Sequence, residues 1–332
     1  MKYELNEILW EFTLKCNKNC KYCGSKNVLN KENKSKYTQE KIAEYITKVK
    51  PESVTITGGE PSCEINKLRK CVKILSDSKI KVKILTNGNL FKEVIGVSDD
   101  LYCMVDHYGL SINTIEDINI AKKNRYDKFI DKTTVITNFG LHNINDFDTI
   151  AKYAIQFPCW QVQLTMGNEL QLDLKQINEL NDKINKYKDL FCVIKADNFN
   201  CGKCTAGINS FSITYDGMII PCLSYRSWKS NLMIQGEVKD IVKIWKKGFE
   251  FNRNREFVPC CKDITGIKKV CSCSFDNIQE VLRKEEKKET PADIYVYGVA
   301  IPTPNDYNHI QVYGVGQGPQ VIDENDNKDI PF

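Results

Sequence analysis

The sequence predicts an α/β fold, in which a partial (β/α)6 barrel is followed by a small cysteine-rich module and a flexible acidic tail. Up to about residue 197, β-rich apolar runs alternate with segments of helical period, which is typical of a parallel sheet with helices. Seven of the fifteen cysteines then fall between Cys201 and Cys273. The last stretch is acidic and rich in proline and glycine. We therefore predict a core at residues 1–197, a metal-binding module at residues 198–282, and a linker and tail at residues 283–332.

Six strands are predicted in the core from runs of β-branched and apolar residues. They span residues 8–14, 53–57, 81–86, 101–105, 133–137 and 160–165. Amphipathic stretches predict helices between them, one after an N-cap at Thr38 and one that buries Leu68, Cys71, Val72 and Leu75. Six strand-helix units are too few to close an eight-stranded barrel, so we expect an open, curved sheet with its chemistry at the carboxyl ends of the strands.

Composition indicates a cytoplasmic protein without a membrane partner. The 332 residues carry a net charge of +4, and no apolar run is long enough to span a bilayer. The charged N-terminus leads into a strand rather than a signal peptide. In the cytoplasm, fifteen cysteines indicate metal or redox sites rather than disulfides. The small positive excess outside the tail is explained by a solvated, lysine-rich surface.

Three cysteines follow the first predicted strand with the spacing CxxxCxxC, namely Cys16, Cys20 and Cys23. A loop with this spacing can place three thiolates on three corners of one 4Fe-4S cluster, which leaves the fourth iron open. A zinc site completed by a distant fourth ligand is the alternative. The spacing alone is compatible with both the 4Fe-4S cluster and the zinc site.

The second predicted strand runs into Gly58, Gly59, Glu60 and Pro61. Two glycines let the backbone approach a ligand, and the Glu60 carboxylate can accept a hydrogen bond from an ammonium group. A Gly-Gly pair after a strand is usually only a turn. After a CxxxCxxC loop it predicts a binding site for a ligand that carries an amine.

Residues 1–197 resemble the core of radical S-adenosylmethionine (SAM) enzymes, which have a CxxxCxxC loop after the first strand and a GGEP motif after the second. The resemblance implies reductive cleavage of SAM at a 4Fe-4S cluster, hydrogen abstraction from a substrate by the 5'-deoxyadenosyl radical, and an electron donor such as flavodoxin or ferredoxin. The implied cluster ligands are Cys16, Cys20 and Cys23. The residues implied to contact SAM are Tyr22, Gly58, Gly59, Glu60, Asn87, Ser111 and Asn138. For Ser111 and Asn138, a role as caps or turn residues is the alternative.

Cys204 and Cys222 flank Gly217 in the arrangement C-x12-G-x4-C, around a predicted hairpin turn. This arrangement resembles the auxiliary-cluster modules called SPASM and Twitch. Because the full SPASM run of CxxC-x5-C-x3-C is absent, we favour one auxiliary 4Fe-4S cluster over two. The implied ligands are Cys204, Cys222, Cys271 and Cys273, with Cys201, Cys260 and Cys261 as substitutes or ligands of a second site. A structural zinc ion is the alternative.

The remaining cysteines and one histidine lack such a pattern. Single cysteines in apolar runs are predicted to be buried thiols, and they are Cys63, Cys71, Cys103, Cys159 and Cys192. His107, beside Asp106 at a predicted strand end, could face the site, but we prefer a structural role.

The last four residues, Asp329, Ile330, Pro331 and Phe332, follow an acidic run. They resemble the acidic tip of bacterial single-stranded DNA-binding proteins, which implies recruitment to a replication or repair protein that recognises the tip. A frayed, solvated terminus is the alternative.

Three functions are compatible with these features. The first is a radical SAM enzyme with an unidentified substrate, for which a peptide or protein is the leading interpretation. The second is modification of a nucleotide or nucleic acid, with recruitment through the tip. The third is a non-catalytic metal-binding interaction protein, which the GGEP motif argues against.

Overall fold

The computed structural model describes residues 4–23, 25–26, 28–30, 35–93, 99–124, 126–165, 169–188, 192–195, 206–223, 228–229, 234–254, 294–296 and 299–301. Across these residues, every helix is too short or too polar to cross a membrane.

Parallel strands form the central part of one sheet, and their spatial order follows the chain. They are β1 (Glu7–Thr13), β2 (Ser53–Gly58), β3 (Lys81–Thr86), β4 (His107–Ser111), β5 (Thr133–Phe139), β6 (Cys159–Leu164) and β7 (Val193–Lys195). The parallel register runs from Glu7 opposite Ser53 to Trp160 opposite Val193. The carboxyl ends of these strands therefore share one edge of the sheet, here called the carboxyl edge.

Helices connect these strands. They are α1 (Gln39–Thr47), α2 (Ile65–Asp77), α3 (Leu90–Glu93), α4 (Asp100–Met104), α5 (Ile115–Lys123), α6 (Phe147–Ala154) and α7 (Leu174–Lys188), followed by α8 (Ile241–Lys247) and α9 (Glu250–Asn254). Short 3-10 helices occupy Pro61–Glu64, Tyr126–Lys132, Ile144–Asp146 and Val238–Asp240. The predicted N-cap is confirmed, because Thr38 Oγ1 accepts a hydrogen bond from Lys41 N at 3.2 Å. The predicted buried face of α2 is also confirmed, since Leu68, Cys71, Val72 and Leu75 have no exposed surface.

The sheet continues beyond β1. β8 (Ser210–Ile213) pairs with β1 in parallel, β9 (Met218–Ile220) pairs antiparallel with β8, and the short strand Gly236–Glu237 pairs antiparallel with β9. In chain order, the short strand Gly236–Glu237 is β11. A separate antiparallel sheet contains β10 (Trp228–Lys229), β12 (Ile294–Val296) and β13 (Val299–Ile301). The strand β1 is thus an inner strand with hydrogen-bonded neighbours on both sides.

The two faces of the parallel sheet differ in polarity. On the face packed into the hydrophobic core, Trp10, Tyr108 and Trp160 have no exposed surface. The alternate positions on the other face include several polar, half-buried side chains, namely Lys83, His107, Gln161 and Gln163. This second face can therefore accommodate a polar substrate.

One predicted strand is wrong. Residues 101–105 belong largely to α4, and the strand begins only at His107. Asp99 caps α4, because its Oδ1 accepts a hydrogen bond from Leu101 N at 2.9 Å. A five-residue apolar run is too short for its period to separate helix from strand. The other five predicted strands agree with the structure to within two residues at each end, and the α/β class with a mostly parallel sheet is confirmed.

Most of the predicted module and tail lies outside the described residues. This applies to Cys201, Cys204, Cys260, Cys261, Cys271, Cys273, Asp329, Ile330, Pro331 and Phe332. The proposed division between residues 197 and 198 also falls outside them and stays a prediction. β8, β9 and β11 nevertheless belong to the same sheet as the core strands.

Candidate active site at the carboxyl edge

The cysteine loop follows β1 directly and lies at the carboxyl edge, with Cys16, Cys20 and Cys23 all half-buried. Asn30 holds the start of this loop. Its Oδ1 accepts a hydrogen bond from Cys16 N at 2.9 Å, and its Nδ2 donates to Cys16 O at 3.2 Å. Asn30 has a φ of +56°, in the left-handed region that asparagine tolerates better than most residues. The loop is therefore anchored through its backbone.

The thiols fit a 4Fe-4S cluster in their chemistry. The Lys18 and Ser25 amides donate to Cys16 Sγ and Cys23 Sγ, each at 3.4 Å, and such bonds stabilise thiolate ligands. Burial is the main cause that raises the pKa of the Cys16 thiol to about 11. Iron binding to Cys16 must therefore release the proton of this thiol. In the part of the chain that the structure describes, no three His, Cys, Asp or Glu side chains are grouped to hold a metal ion. Three cluster thiolates each bind a different iron, so they do not need to converge on one point.

The GGEP turn packs against the cysteine loop. Gly59 N donates to Thr13 O at 2.7 Å, and Glu60 N donates to Lys15 O at 2.8 Å. A Cβ on Gly58 would lie 2.2 Å from Thr13 O, and one on Gly59 would lie 2.1 Å from Lys15 O. Glycine is thus required here by the backbone of β1 and of the cysteine loop. Contact of Gly58 and Gly59 with SAM stays a prediction.

Glu60 joins the turn after β2 to the turn after β3. It has no exposed surface. Its Oε1 accepts from Ser62 N at 3.1 Å and Thr86 Oγ1 at 2.9 Å, and its Oε2 accepts from Asn87 N at 2.7 Å. Burial raises the pKa of Glu60, whereas these hydrogen bonds lower it. In the structure, Glu60 therefore holds the two turns together. A direct contact between the Glu60 carboxylate and the SAM amine would require one of these hydrogen bonds to be exchanged.

Lys18 ties the cysteine loop to two neighbouring elements. Its Nζ lies 2.6 Å from Asp117 Oδ1 in the first turn of α5, and it donates to Asn87 O at 3.3 Å. Asn87 in turn donates through Nδ2 to Asn17 Oδ1 at 2.8 Å. Asn87, which the resemblance implies as a SAM contact, thus also contacts the cysteine loop itself.

Buried amides order the ends of β4 and β5. Asn113 Oδ1 accepts from Asn138 N at 2.7 Å, and Asn143 Nδ2 donates to Asn113 O at 2.9 Å. Asn143 Oδ1 also accepts from Gly140 N at 3.0 Å. Ser111 is the last residue of β4 and is half-buried, as is Asn138. Both predicted SAM contacts therefore lie at the carboxyl edge.

Tyr22 and two unpaired polar groups meet at this edge. The Tyr22 ring stacks on the His142 ring, with centroids 4.3 Å apart and planes 16° apart. Among the described residues, neither ring nitrogen of His142 has a hydrogen-bond partner, although both are buried, and the same is true of Thr165 Oγ1. His142 Nδ1 and Thr165 Oγ1 lie 3.0 and 2.9 Å from the position of a Cβ on Gly140, so the two groups are close together. Unpaired buried polar groups are uncommon and fit a polar ligand at this place.

The predicted hairpin before Cys222 is present. β8 and β9 are joined through Tyr215, Asp216 and Gly217, and Gly217 adopts the left-handed φ of +84° that the turn requires. Because β9 runs antiparallel to β8, half-buried Cys222 lies toward the edge opposite the carboxyl edge. The other predicted auxiliary ligands lie outside the described residues, so this ligand set stays a prediction.

All five single cysteines were expected to be buried, and three of them are not. Cys71 and Cys159 are buried and Cys63 is half-buried, but Cys103 and Cys192 are exposed. Cys103 lies in the helix α4 where a buried strand was predicted, and Cys192 precedes β7. The structural interpretation of His107 agrees with its position, because it begins β4 at the opposite edge and its Nε2 lies 2.9 Å from Thr134 Oγ1.

Several residues of the site were missed from the sequence, namely Lys18, Asn30, Asp117, Asn143, His142 and Thr165. Asp117 had a readable signal, because it forms a capping box with Thr114 at the start of α5. The others act through contacts between distant segments, which the local sequence does not reveal.

A family model described as the Radical SAM superfamily matches residues 10–153. This part of the chain is thus a radical SAM domain. An uncharacterized protein of Methanocaldococcus jannaschii is 24% identical over 284 residues, which cover 74% of this chain and 94% of that protein. The 7-carboxy-7-deazaguanine synthase of Clostridium acetobutylicum is 32% identical over 133 residues, and the match spans 40% of this chain and 58% of the synthase.

The fold is also similar to that of Streptococcus suis SuiB. The SuiB structure bound to S-adenosylmethionine has a TM-score of 0.60 and 17% sequence identity, and the match covers 81% of this chain and 72% of SuiB. SuiB bound to its precursor peptide SuiA has a TM-score of 0.58, with 81% of this chain and 71% of SuiB covered.

Proposed function

We propose that this chain is a radical SAM enzyme whose radical SAM domain holds a 4Fe-4S cluster through Cys16, Cys20 and Cys23. The observation that carries the proposal is the position of the cysteine loop, which is anchored between the GGEP turn and α5 at the carboxyl edge of a parallel sheet. When bound, the cluster supplies the electron that cleaves SAM to methionine and a 5'-deoxyadenosyl radical, which abstracts hydrogen from the substrate. The electron would come from a donor such as flavodoxin or ferredoxin.

The residues at the carboxyl edge would orient SAM and shield it. Glu60 fixes the turns after β2 and β3 relative to each other, so that Gly58, Gly59 and Asn87 keep one geometry. The paired His142 and Tyr22 rings present a flat aromatic surface, and the unpaired atoms of His142 and Thr165 can hydrogen-bond a polar ligand. Ser111 and Asn138 offer further polar groups at the ends of their strands.

For the substrate we propose a peptide or protein. Half-buried Gln161 and Gln163 on one face of the sheet can hydrogen-bond a peptide backbone, and SuiB, whose fold is similar, was crystallised with a precursor peptide. We further propose one auxiliary 4Fe-4S cluster held by Cys204, Cys222, Cys271 and Cys273, with Cys201, Cys260 and Cys261 as alternatives. The spacing around the observed β8–β9 hairpin supports this ligand set.

A nucleotide or nucleic-acid substrate is the second candidate. Its support is the 32% identity over 133 residues to a 7-carboxy-7-deazaguanine synthase. The likeness of Asp329, Ile330, Pro331 and Phe332 to the tip of single-stranded DNA-binding proteins adds recruitment to a replication or repair protein. Binding of the full chain to a protein that recognises this tip, with and without a Phe332→Ala substitution, tests the recruitment.

Anaerobic reconstitution with iron and sulfide tests the activity. We expect about seven to eight irons per chain for two clusters, and 5'-deoxyadenosine on addition of SAM and reductant. Substituting Cys16, Cys20 or Cys23 by Ala should abolish SAM cleavage, whereas Cys103→Ser should leave it unchanged. Zinc as the sole bound metal, with no SAM cleavage, would instead support a non-catalytic metal-binding interaction protein.

A further inference from the structure

Cys159 begins β6, and Cys192 lies opposite it, immediately before the neighbouring parallel strand β7. The register of β6 and β7 pairs Trp160 with Val193, which places Cys159 opposite Cys192 one step earlier. Trp160 N donates to Cys192 O at 2.9 Å and holds the backbone at this point. Paired strands are about 4.8 Å apart, which lies within the range of Cα separations that a disulfide can bridge.

The two thiols also point to the same side. Residues directly opposite each other in a parallel pair project from the same face of the sheet. The sulfur atoms of Cys159 and Cys192 are 2.8 Å apart. Only a small movement separates this contact from a covalent bond, whose length is about 2.05 Å.

Access to the pair is asymmetric. Cys192 is exposed, whereas Cys159 is buried beside it. An oxidant from solution can thus reach Cys192 first, and Cys159 is in place to attack the sulfur of Cys192 afterwards. Cys159 is the first residue of β6 and Cys192 immediately precedes β7, so both lie at the edge opposite the cysteine loop.

We propose that Cys159 and Cys192 form a redox-active dithiol that a low-molecular-weight disulfide oxidises to an intramolecular disulfide. The Cys192 thiolate attacks the disulfide, forms a mixed disulfide and releases one thiolate. The Cys159 thiolate then attacks Cys192 Sγ, forms the Cys159–Cys192 bond and releases the second thiolate. The two protein thiols lose two electrons and two protons, and the oxidant is reduced to two thiols.

Peptide mapping of the full chain tests the proposal. The protein is incubated anaerobically with oxidised glutathione, remaining thiols are blocked with N-ethylmaleimide, and trypsin digestion follows without reduction. Residues 153–175 and 189–195 form tryptic peptides that carry Cys159 and Cys192 as their only cysteines. We expect the cross-link between these peptides to exceed any other cross-link of either peptide at least about tenfold, and dithiothreitol to remove it.

Matched variants separate the pair from general thiol oxidation. Cys192→Ser should abolish the cross-link, and it should fold because residue 192 is exposed, whereas the exposed Cys103 in α4 can be changed to Ser without effect on the cross-link. Oxidation should raise the melting temperature of the wild type by about 5 °C or more and leave that of Cys192→Ser unchanged. Glutathione that stays on Cys192 without a cross-link, or a Cys192 that does not react, would overturn the proposal.

Discussion

Lys18 Nζ lies 2.6 Å from Asp117 Oδ1, so one ion pair joins the cysteine loop to the first turn of α5. Asp117 is already engaged on its other oxygen, since Oδ2 accepts from Asn113 N and Thr114 N, each at 2.9 Å. The Asp117 carboxylate thus accepts hydrogen bonds from the cysteine loop, from the segment after β4 and from the start of α5.

Replacing Lys18 by Met should loosen the cysteine loop. The side chains of Lys18 and Asp117 are only 19% and 8% exposed, so the pair is poorly screened by solvent. We expect a loss of about 1–3 kcal/mol in the free energy of unfolding, measured by chemical denaturation. The exposed pair of Lys41 and Glu44 is the control, and Lys41→Met should cost about 0.5 kcal/mol or less. Equal losses for the two variants would contradict a special role for Lys18.

Replacing Gly59 by Ala should disrupt the site more than replacing Gly109 by Ala. The new Cβ at position 59 would meet the backbone oxygen of Lys15 at 2.1 Å, which cannot move without shifting the cysteine loop. At position 109 the nearest atoms are the side-chain ends of Leu85 and Ile136, which can adjust. We expect destabilisation of more than about 3 kcal/mol for Gly59→Ala and about 1–2 kcal/mol for Gly109→Ala. Iron bound after reconstitution should fall only in the first variant, and normal iron binding there would count against the packing described for the GGEP turn.

Replacing His142 by Phe should separate ligand binding from stability. Phe keeps an aromatic ring against Tyr22 but removes two buried nitrogens that lack partners, so the melting temperature should stay the same or rise. SAM affinity should fall about tenfold, as expected for one lost hydrogen bond, and equilibrium binding measures it.

The matched control for this substitution is His107→Phe at the opposite edge of the sheet. That variant loses the contact with Thr134 and should be less stable, but its SAM affinity should not change. If His142→Phe and His107→Phe bind SAM equally well, His142 does not contact the ligand.

The stabilising effect of Glu237 should depend on pH. Lys36 Nζ and Tyr37 OH each lie 2.7 Å from its carboxylate, and together with Lys239 they lower the pKa of Glu237 from 4.5 to about 2. The folded state therefore favours the ionised form, and this contribution is present above about pH 4.5 and is lost as the pH falls toward 2.

Chemical denaturation of the wild type and of Glu237→Gln across this range measures the effect. We expect the variant to be less stable at neutral pH and the difference to shrink below pH 4.5. Tyr37→Phe removes one of the hydrogen-bond donors and should give an intermediate pH dependence. A stability difference that does not vary with pH would show that Glu237 acts only through packing.

Local signals in the sequence located much of the fold and the reactive part of the site. The strands before the cysteine loop and before the GGEP turn were predictable because long β-rich runs end in distinctive motifs. The run at residues 101–105 was wrongly predicted as a strand, because a capped helix of five residues is too short to show a clear helical period. Lys18 and Asp117 are 99 residues apart, and only the three-dimensional packing brings them together. The same holds for Tyr22 and His142, whose residue types alone predict no contact.

The position of β1 between β2 and β8 has a consequence for any shortened version of this protein. A chain cut before residue 206 would lack β8 and would expose a row of unpaired amide and carbonyl groups along β1. An exposed edge strand of this kind favours pairing with a second copy of the chain, next to the loop that carries Cys16, Cys20 and Cys23. By pairing with β1, residues 210–213 thus protect the preceding part of the chain from self-association.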